Sequence, residues 1–423
     1  MTEQQKAIVG IVISPDEKGY FSNGLHQNAF NLYRLLQQVP LVTPILMCSP
    51  MSAQDSNSTS EQEGTLFGEP IYNIELFIEK YHVDIILFVS VVLNEQYMKP
   101  FLKRGVKTVA VIYGNRYAID QEVACFGHLK PYDENSKNHA AGDMIREDLR
   151  PDAVWISPHF AYSKDYIKRR YRAKSVFVCP YIWSPELLNY KYEQSDRYKN
   201  KSKFFEPGRP ENRNIFCTEP NVNVLKTSIF PFLATEIAYN EKGADESLNQ
   251  LYLYGANRLA AQNKRTAEWF GRSQLVKDSK VTFKYRYPYP VITDTSQVML
   301  HHHYNNGLNY TLLEAAYLNL PIVHNSEFMT ELGYYYRRAN IEDAALQISR
   351  ALKHEDRDDL EEYNKSCQDT IHKFSIHNED NIRGYQTLLA NLLDFSLEPV
   401  LPDYIVDLED RLNYSDGYIS PLG

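Results

Sequence analysis

Residues 297–328 read QVMLHHHYNNGLNYTLLEAAYLNLPIVHNSEF. Residues 297–303 alternate and are apolar enough for a strand. Residues 309–320 place Leu312, Leu313, Ala316 and Leu320 at helical spacing, which predicts an amphipathic helix. Pro321 stops that helix, and Ile322 and Val323 begin a short buried strand. Polar side chains gather where the strand ends and the helix begins. They are His301, His302, His303, Asn305, Asn306 and Asn309, with Glu314 one turn further in. In an open parallel sheet that edge is where ligands bind, and helix N-termini draw phosphate.

Working outward, the same rhythm recurs. Strands are expected at residues 7–14, 42–48, 84–90, 107–113, 152–157 and 175–179, with helices at 28–38, 71–81, 95–104 and 162–172 between them. Residues 49–63 read as a loop rich in Ser, Gln and Glu. Apolar periodicity lapses between 184 and 213 and returns with a strand at 214–218. A helix at 224–239 follows, then strands at 250–254 and 281–285. Helices are expected at 341–353, 358–373 and 378–393. Strands alternating with helices imply mainly parallel sheets covered on both faces. The expected division is 1–205, 206–377 and 378–423.

At 423 residues the chain is long enough for two domains with separate cores. No apolar run is long enough for a membrane span, and residues 1–5 are too polar for a signal peptide. Five dispersed cysteines without metal-ligand spacing suit a reducing cytoplasm. The net charge of −9 disfavours indiscriminate nucleic-acid binding. Locally the balance reverses: residues 160–213 hold 13 Lys and Arg against 6 Asp and Glu. Lys168, Arg169, Arg170 and Arg172, then Arg197 and Lys199, are interleaved with tyrosines, as a backbone-tracking, base-stacking surface requires. The same pattern fits a solvated helix face followed by a basic linker.

Strand, Gly loop, helix with an internal Glu, Pro and strand resembles the C-terminal half of GT-B glycosyltransferases. The run NGLNYTLLEAAYLNLPIVHN carries the likeness. Taken with SNGLHQN near the start, EPNVNVLK at 219–226 and GYYY at 333–336, it resembles an uncharacterised family of bacteria and tailed phages that looks like GT-B glycosyltransferases. The resemblance implies an α/β fold with two Rossmann-like domains facing a cleft. It also implies that the helix at 378–393 braces the N-terminal domain.

In that family a Glu at the place of Glu314 binds the donor ribose. A second Glu eight residues earlier is common, and here Asn306 stands there. By the same likeness Asn221, Asn223 and Lys226 would meet the donor diphosphate, with Lys226 in the first turns of a helix. His301, His303, Asn306, Gly307 and Asn309 would complete the donor site, and Gly24 would bring the first loop to the phosphate. Lys226 and helix N-termini would take the place of a metal, so none is expected. On a strand His301 and His303 face one side and His302 the other, which argues against a three-histidine metal site. The expected donor is a nucleotide sugar, UDP-linked, with no further cofactor.

Catalysis needs a base for the acceptor hydroxyl. The candidates are His26, Asp120, Asp133, Asp143 and His159, with His26 preferred because it lies in the first loop. GT-B enzymes of T-even-like phages add sugars to hydroxymethylated pyrimidines in DNA. With the basic segment, that makes double-stranded modified DNA the expected acceptor and host cytoplasm the expected location. A surface glycan or a small molecule is the alternative acceptor. A nucleotide-sugar binding protein without turnover is the alternative to an enzyme.

Overall fold

The computed structural model describes residues 6–13, 24–48, 62–89, 95–126, 150–199, 202–205, 213–257, 259, 264–285, 292–294, 296–353, 360–394 and 401–405. The chain divides into two compact units. The first is Met1–Ser184 with Phe374–Gly423, and the second is Pro185–Lys373.

The first unit opens with β1 (Ala7–Val12), α1 (Gly24–Leu36) and β2 (Val42–Cys48). A hairpin of β3 (Gln62–Leu66) and β4 (Glu69–Asn73) leads into α2 (Ile74–Glu79). Next come β5 (Ile85–Val89), α3 (Glu95–Lys103), β6 (Lys107–Ile112), α4 (Arg116–Phe126) and β7 (Ala153–Ile156). A 3-10 turn, Pro158–Ser163, passes into α5 (Lys164–Arg170), and β8 (Ser175–Val178) follows. The strand order is β3-β4-β2-β1-β5-β6-β7-β8, parallel except for β3. All five residues of β5 are buried, as expected for a central strand covered on both faces.

The hairpin departs from the sequence reading, which had a loop ending at 63 and a helix from 71. Phe67 and Gly68 both take positive φ, 49° and 84°, which suits a tight two-residue hairpin turn. Phe67 also packs edge-on against Phe30 of α1, with ring centroids 5.1 Å apart. The expected helix is present as α2, but it starts at Ile74 because residues 69–73 pair with β2 and β3 as a strand.

The second unit holds α6 (Glu186–Glu193), β9 (Arg213–Cys217), α7 (Ile229–Glu241) and β10 (Leu248–Tyr254). It continues with α8 (Lys264–Gly271), α9 (Gln274–Lys277), β11 (Val281–Lys284) and β12 (Val298–Leu300). Then come α10 (Tyr310–Tyr317), β13 (Ile322–His324), β14 (Tyr334–Tyr335), α11 (Ile341–Leu352) and α12 (Leu360–Lys373). Its strands run in the order β11-β10-β9-β12-β13-β14, every pairing parallel.

The unit starts at 185, whereas the sequence reading carries the first domain on to 205. Helix α6 is the reason: Tyr317 of α10 donates to Asn189 at 3.2 Å, and the Tyr192 hydroxyl meets Thr293 at 2.8 Å. The last helix, α13 (Glu379–Leu392), returns to the first unit. Tyr385 is fully buried there, its hydroxyl 3.1 Å from that of Tyr113 and donating to the Pro180 carbonyl at 2.8 Å. Gly384 permits the approach, since a Cβ there would lie 2.7 Å from the Pro180 ring.

Candidate functional site at the carboxyl edge of the second sheet

In the second sheet β9 is followed in sequence by β10 on one side, while β12 flanks it on the other. The chain therefore leaves the carboxyl ends of β9 and β12 in opposite directions. That divergence opens a crevice at the topological switch point, the usual ligand position in such sheets. Two ionisable side chains meet there. Nδ1 of His301, just beyond β12, lies 2.5 Å from Oε1 of Glu219, just beyond β9, and their side chains are only 0% and 2% exposed.

Burial opposes charge on Glu219, but His301 and then Lys226 outweigh it and hold the carboxyl below its usual range. Burial holds the His301 imidazole below its usual value, against the pull of Glu219. An ionised Glu219 in contact with a neutral His301 fits both directions. Buried Nε2 of His301 has no hydrogen-bond partner among the described residues, nor has Nδ2 of Asn306 or Oδ1 of Asn223. Buried unpaired polar atoms on two adjoining loops mark a place suited to a polar ligand.

Lys226 belongs to this group, though not on a helix. α7 begins at Ile229, and residues 219–228 form a closed loop instead. Asn221, at φ 53°, donates to the Glu219 carbonyl at 2.7 Å and to the Ser228 hydroxyl at 2.9 Å. Its carbonyl oxygen accepts from the Ser228 N–H at 2.7 Å. That clasp satisfies a donor the helix would otherwise have used and delays the first turn. The Asn221 amide is therefore engaged in shaping the loop, while Asn223 pairs with Lys226 in a short bridge. Gly255, after β10, has φ 86°, and a Cβ there would lie 3.1 Å from the Glu219 carbonyl.

The three histidines follow β12 rather than lying on it, and each has its own environment. His302 stacks on Phe230 with centroids 3.8 Å apart and meets the Tyr336 hydroxyl at 3.0 Å. Burial brings its imidazole down to about 3. His303 accepts the Asn306 N–H at 3.0 Å through Nδ1, and its Nε2 lies 3.4 Å from Glu327. The loop after β13 is stitched to the same place. Asn325 accepts from the His303 N–H at 3.1 Å and donates to the His303 carbonyl at 2.9 Å, while Ser326 donates to the Gly307 carbonyl at 2.6 Å. His301 and His303 turn to one side, with rings 6.0 Å apart, and His302 to the other.

Asn309 caps α10, accepting from the Thr311 N–H at 3.4 Å. Glu314 lies one turn into that helix and is buried. Nζ of Lys191, from α6, is 3.8 Å from its carboxylate, both side chains being about a tenth exposed.

In the first unit Gly24 and His26 occupy the first turn of α1, with Gly24 exposed and His26 half-buried. Asp120 lies 2.7 Å from Arg116 and 3.1 Å from Arg170, and accepts from Tyr166 at 2.8 Å. Its carboxylate is thus engaged by two guanidinium groups and a phenol. His159 is buried against Phe160 and Tyr181. Asp133 and Asp143 lie outside the described residues.

The basic set is divided between the units. Lys168, Arg169 and Arg172 are exposed, whereas the Arg170 side chain is largely covered and lies against Asp120. In the second unit Arg197 reaches Asp294 at 2.5 Å, and Lys199 reaches Asp196 at 2.7 Å.

A family model described as "Protein of unknown function (DUF2827)" matches residues 9–389. The chain belongs to the DUF2827 family. A search of curated proteins finds no match. Among solved structures, this DUF2827 protein is similar to a UDP-forming α,α-trehalose-phosphate synthase from Burkholderia xenovorans. Identity is 10%, coverage 93% of this chain and 100% of that one, and the TM-score 0.55. It is similar to the trehalose-6-phosphate synthase OtsA at 12% identity, covering 92% and 100%, with a TM-score of 0.55. A glycosyltransferase from Rickettsia africae ESF-5 matches at 12% identity over 93% and 100%, with a TM-score of 0.51. At such identities the likeness is one of fold, and the fold is that of GT-B glycosyltransferases.

Several residues that shape the DUF2827 site escape a reading of sequence alone. Glu219 stands in a motif noted for its Lys, Glu327 lies just past a strand, and Lys191 sits in a stretch without periodicity. The fold brings Glu219 to His301, Glu327 to His303 and Lys191 to Glu314 across separations that no local pattern records. Among the described residues no helix is long and apolar enough to cross a membrane.

Proposed function

We propose that this protein is a glycosyltransferase that moves a sugar from a nucleotide sugar, UDP-linked, to an acceptor hydroxyl. The observation that carries the reading is the buried Glu219–His301 pair beside Lys226 at the switch point, with Glu314 buried in the adjoining helix. The Lys226 ammonium suits a diphosphate that gains charge as the sugar–phosphate bond breaks, and the Glu219–His301 pair beside it keeps that cation in place. Glu314 would accept the ribose hydroxyls, while the first turn of α10 and the loop residues Asn223, His303, Asn306 and Gly307 line the remainder. Lys226 and backbone N–H groups supply the charge stabilisation that a metal gives elsewhere. The acceptor hydroxyl must lose its proton as its oxygen bonds the sugar carbon. His26 is the residue we propose to take it.

For the acceptor, hydroxymethylated bases in DNA rest on the exposed cations Lys168, Arg169 and Arg172. Arg170 and Arg197 lend that idea nothing, because their charges are met by Asp120 and Asp294. A glycan or small-molecule hydroxyl asks nothing of them and fits an acidic chain better.

Release of nucleoside diphosphate from a panel of nucleotide sugars, in EDTA, tests the whole reading. Hydroxymethylated DNA, unmodified DNA and glycan acceptors are offered in parallel. Release with at least one donor supports it, and the acceptor that accelerates release chooses between the two classes. Binding without release in every arm would leave a nucleotide-sugar binding protein. Activity lost in EDTA and restored by added metal would contradict the role given to Lys226.

A further inference from the structure

We propose that Glu327 is a specificity residue of the donor site, accepting hydroxyls of the transferred sugar beside Gly307 and Asn306. The assignment rests on the donor reading above. It starts from the contrast between Glu327 and its neighbours. Glu219, His301, His303, Asn306 and Glu314 are buried, whereas the Glu327 side chain is half exposed, at 49%. It is also held in place. The backbone leading into it is tied down: Asn325 clasps both His303 backbone groups and Ser326 bonds the Gly307 carbonyl. Nε2 of His303 lies 3.4 Å from the carboxylate.

Gly307 gives the carboxylate its seat. A Cβ at residue 307 would fall 2.7 Å from Oε2 of Glu327 and 2.9 Å from Oε1, so a glycine leaves the carboxylate room to lie against the loop backbone. Burial opposes its charge, but His303 beside it outweighs that effect and holds the carboxyl below its usual range.

An ionised carboxylate with an open side does not suit a diphosphate, which like charge repels. It suits vicinal hydroxyls, which it can accept in pairs through strong charge-assisted bonds. The sugar is the part of a nucleotide sugar that offers such hydroxyls away from the anionic phosphates. Asn306, adjacent to the seat, can donate to the same ring through Nδ2, which is buried and has no partner among the described residues.

The experiment measures equilibrium binding of UDP, UDP-glucose, UDP-galactose and UDP-N-acetylglucosamine to the parent, Glu327→Gln and Gly307→Ala. Glu327→Gln keeps the shape and removes the charge. Gly307→Ala keeps the charge and displaces the carboxylate. Both should weaken at least one nucleotide sugar about tenfold, the scale of a charge-assisted hydrogen bond, while UDP stays within about twofold. In the release assay the same variants should raise KM for that donor. If UDP and the nucleotide sugars weaken together, or neither moves, the assignment to Glu327 is overturned. A parent that binds neither UDP nor any of the three sugars would remove the donor reading itself, and this assignment with it.

Discussion

At the scale of single residues, the site depends on groups that would be costly anywhere else. Removing a carboxylate and an imidazole from water costs several kcal/mol per charged group unless each is paired. Glu219 and His301 are paired with each other, and Lys226 adds charge close by. Truncating Lys226 to alanine should therefore cut turnover more than it weakens nucleotide binding, because its charge matters most as the diphosphate leaves. Equal losses in kcat and kcat/KM would bear that out, whereas a rise in KM alone would assign Lys226 to uniform binding. A second residue-level test concerns packing. Gly333 has φ 59°, and a Cβ there would sit 2.5 Å from the Ile322 carbonyl oxygen. Gly333→Ala should cost ~1–3 kcal/mol or more, read as a lowered denaturant midpoint. An unchanged midpoint would mean that the β13–β14 connection relaxes freely.

At the scale of elements, the loop 219–228 matters most. Its closure depends on three hydrogen bonds from one side chain, Asn221. Asn221→Gly keeps a backbone that tolerates positive φ and deletes only those bonds. The variant should lose about 1–2 kcal/mol of stability and bind UDP more weakly, since Lys226 would no longer be held. Retained UDP affinity alongside the stability loss would show that Lys226 is positioned by something else. The same loop shows where sequence stops being legible. Residues 224–239 have helical periodicity, yet the helix starts at Ile229, because a side-chain clasp satisfies the chain before it. The run 309–320 was legible, with Asn309 capping the helix, a left-handed Asn319 after it and Pro321 beyond. Helix α6 was not. Its contacts lie more than a hundred residues away in α10 and at Thr293, so its own apolar pattern is weak.

At the scale of the molecule, two histidines, His302 partly buried and His324 fully so, link stability to pH. His302 is brought down to about 3 and His324 to about 4, in both cases first by burial. His324 is fixed in its neutral form, with Nε2 2.6 Å from the Leu332 carbonyl and Nδ1 accepting the Ser326 N–H at 3.0 Å. As pH falls below the ordinary histidine value, the unfolded chain binds protons that the native chain does not. The stabilisation is complete above about pH 6.5 and fades as pH falls toward 4 and then 3. On the order of 5 kcal/mol should be lost by pH 4. Thermal unfolding followed from pH 7.5 to 4 should show Tm falling steadily, and a flat profile would mean that both imidazoles reach solvent. Fold class was legible at this scale because strand–helix alternation repeats along the chain. The partnership of Glu219 with His301 was not, because the strand order that joins β9 to β12 is written in no single segment. The acceptor is illegible for a related reason: the cations that suggest DNA are partly neutralised by carboxylates distant in sequence. Calorimetric titration of UDP into the parent and into Glu314→Ala tests the donor site most directly. The site described here predicts saturable binding by the parent and a loss of about 1.5–3 kcal/mol in the variant. A parent that does not bind, or a variant that binds as tightly as the parent, would contradict a donor site at the β9–β12 edge.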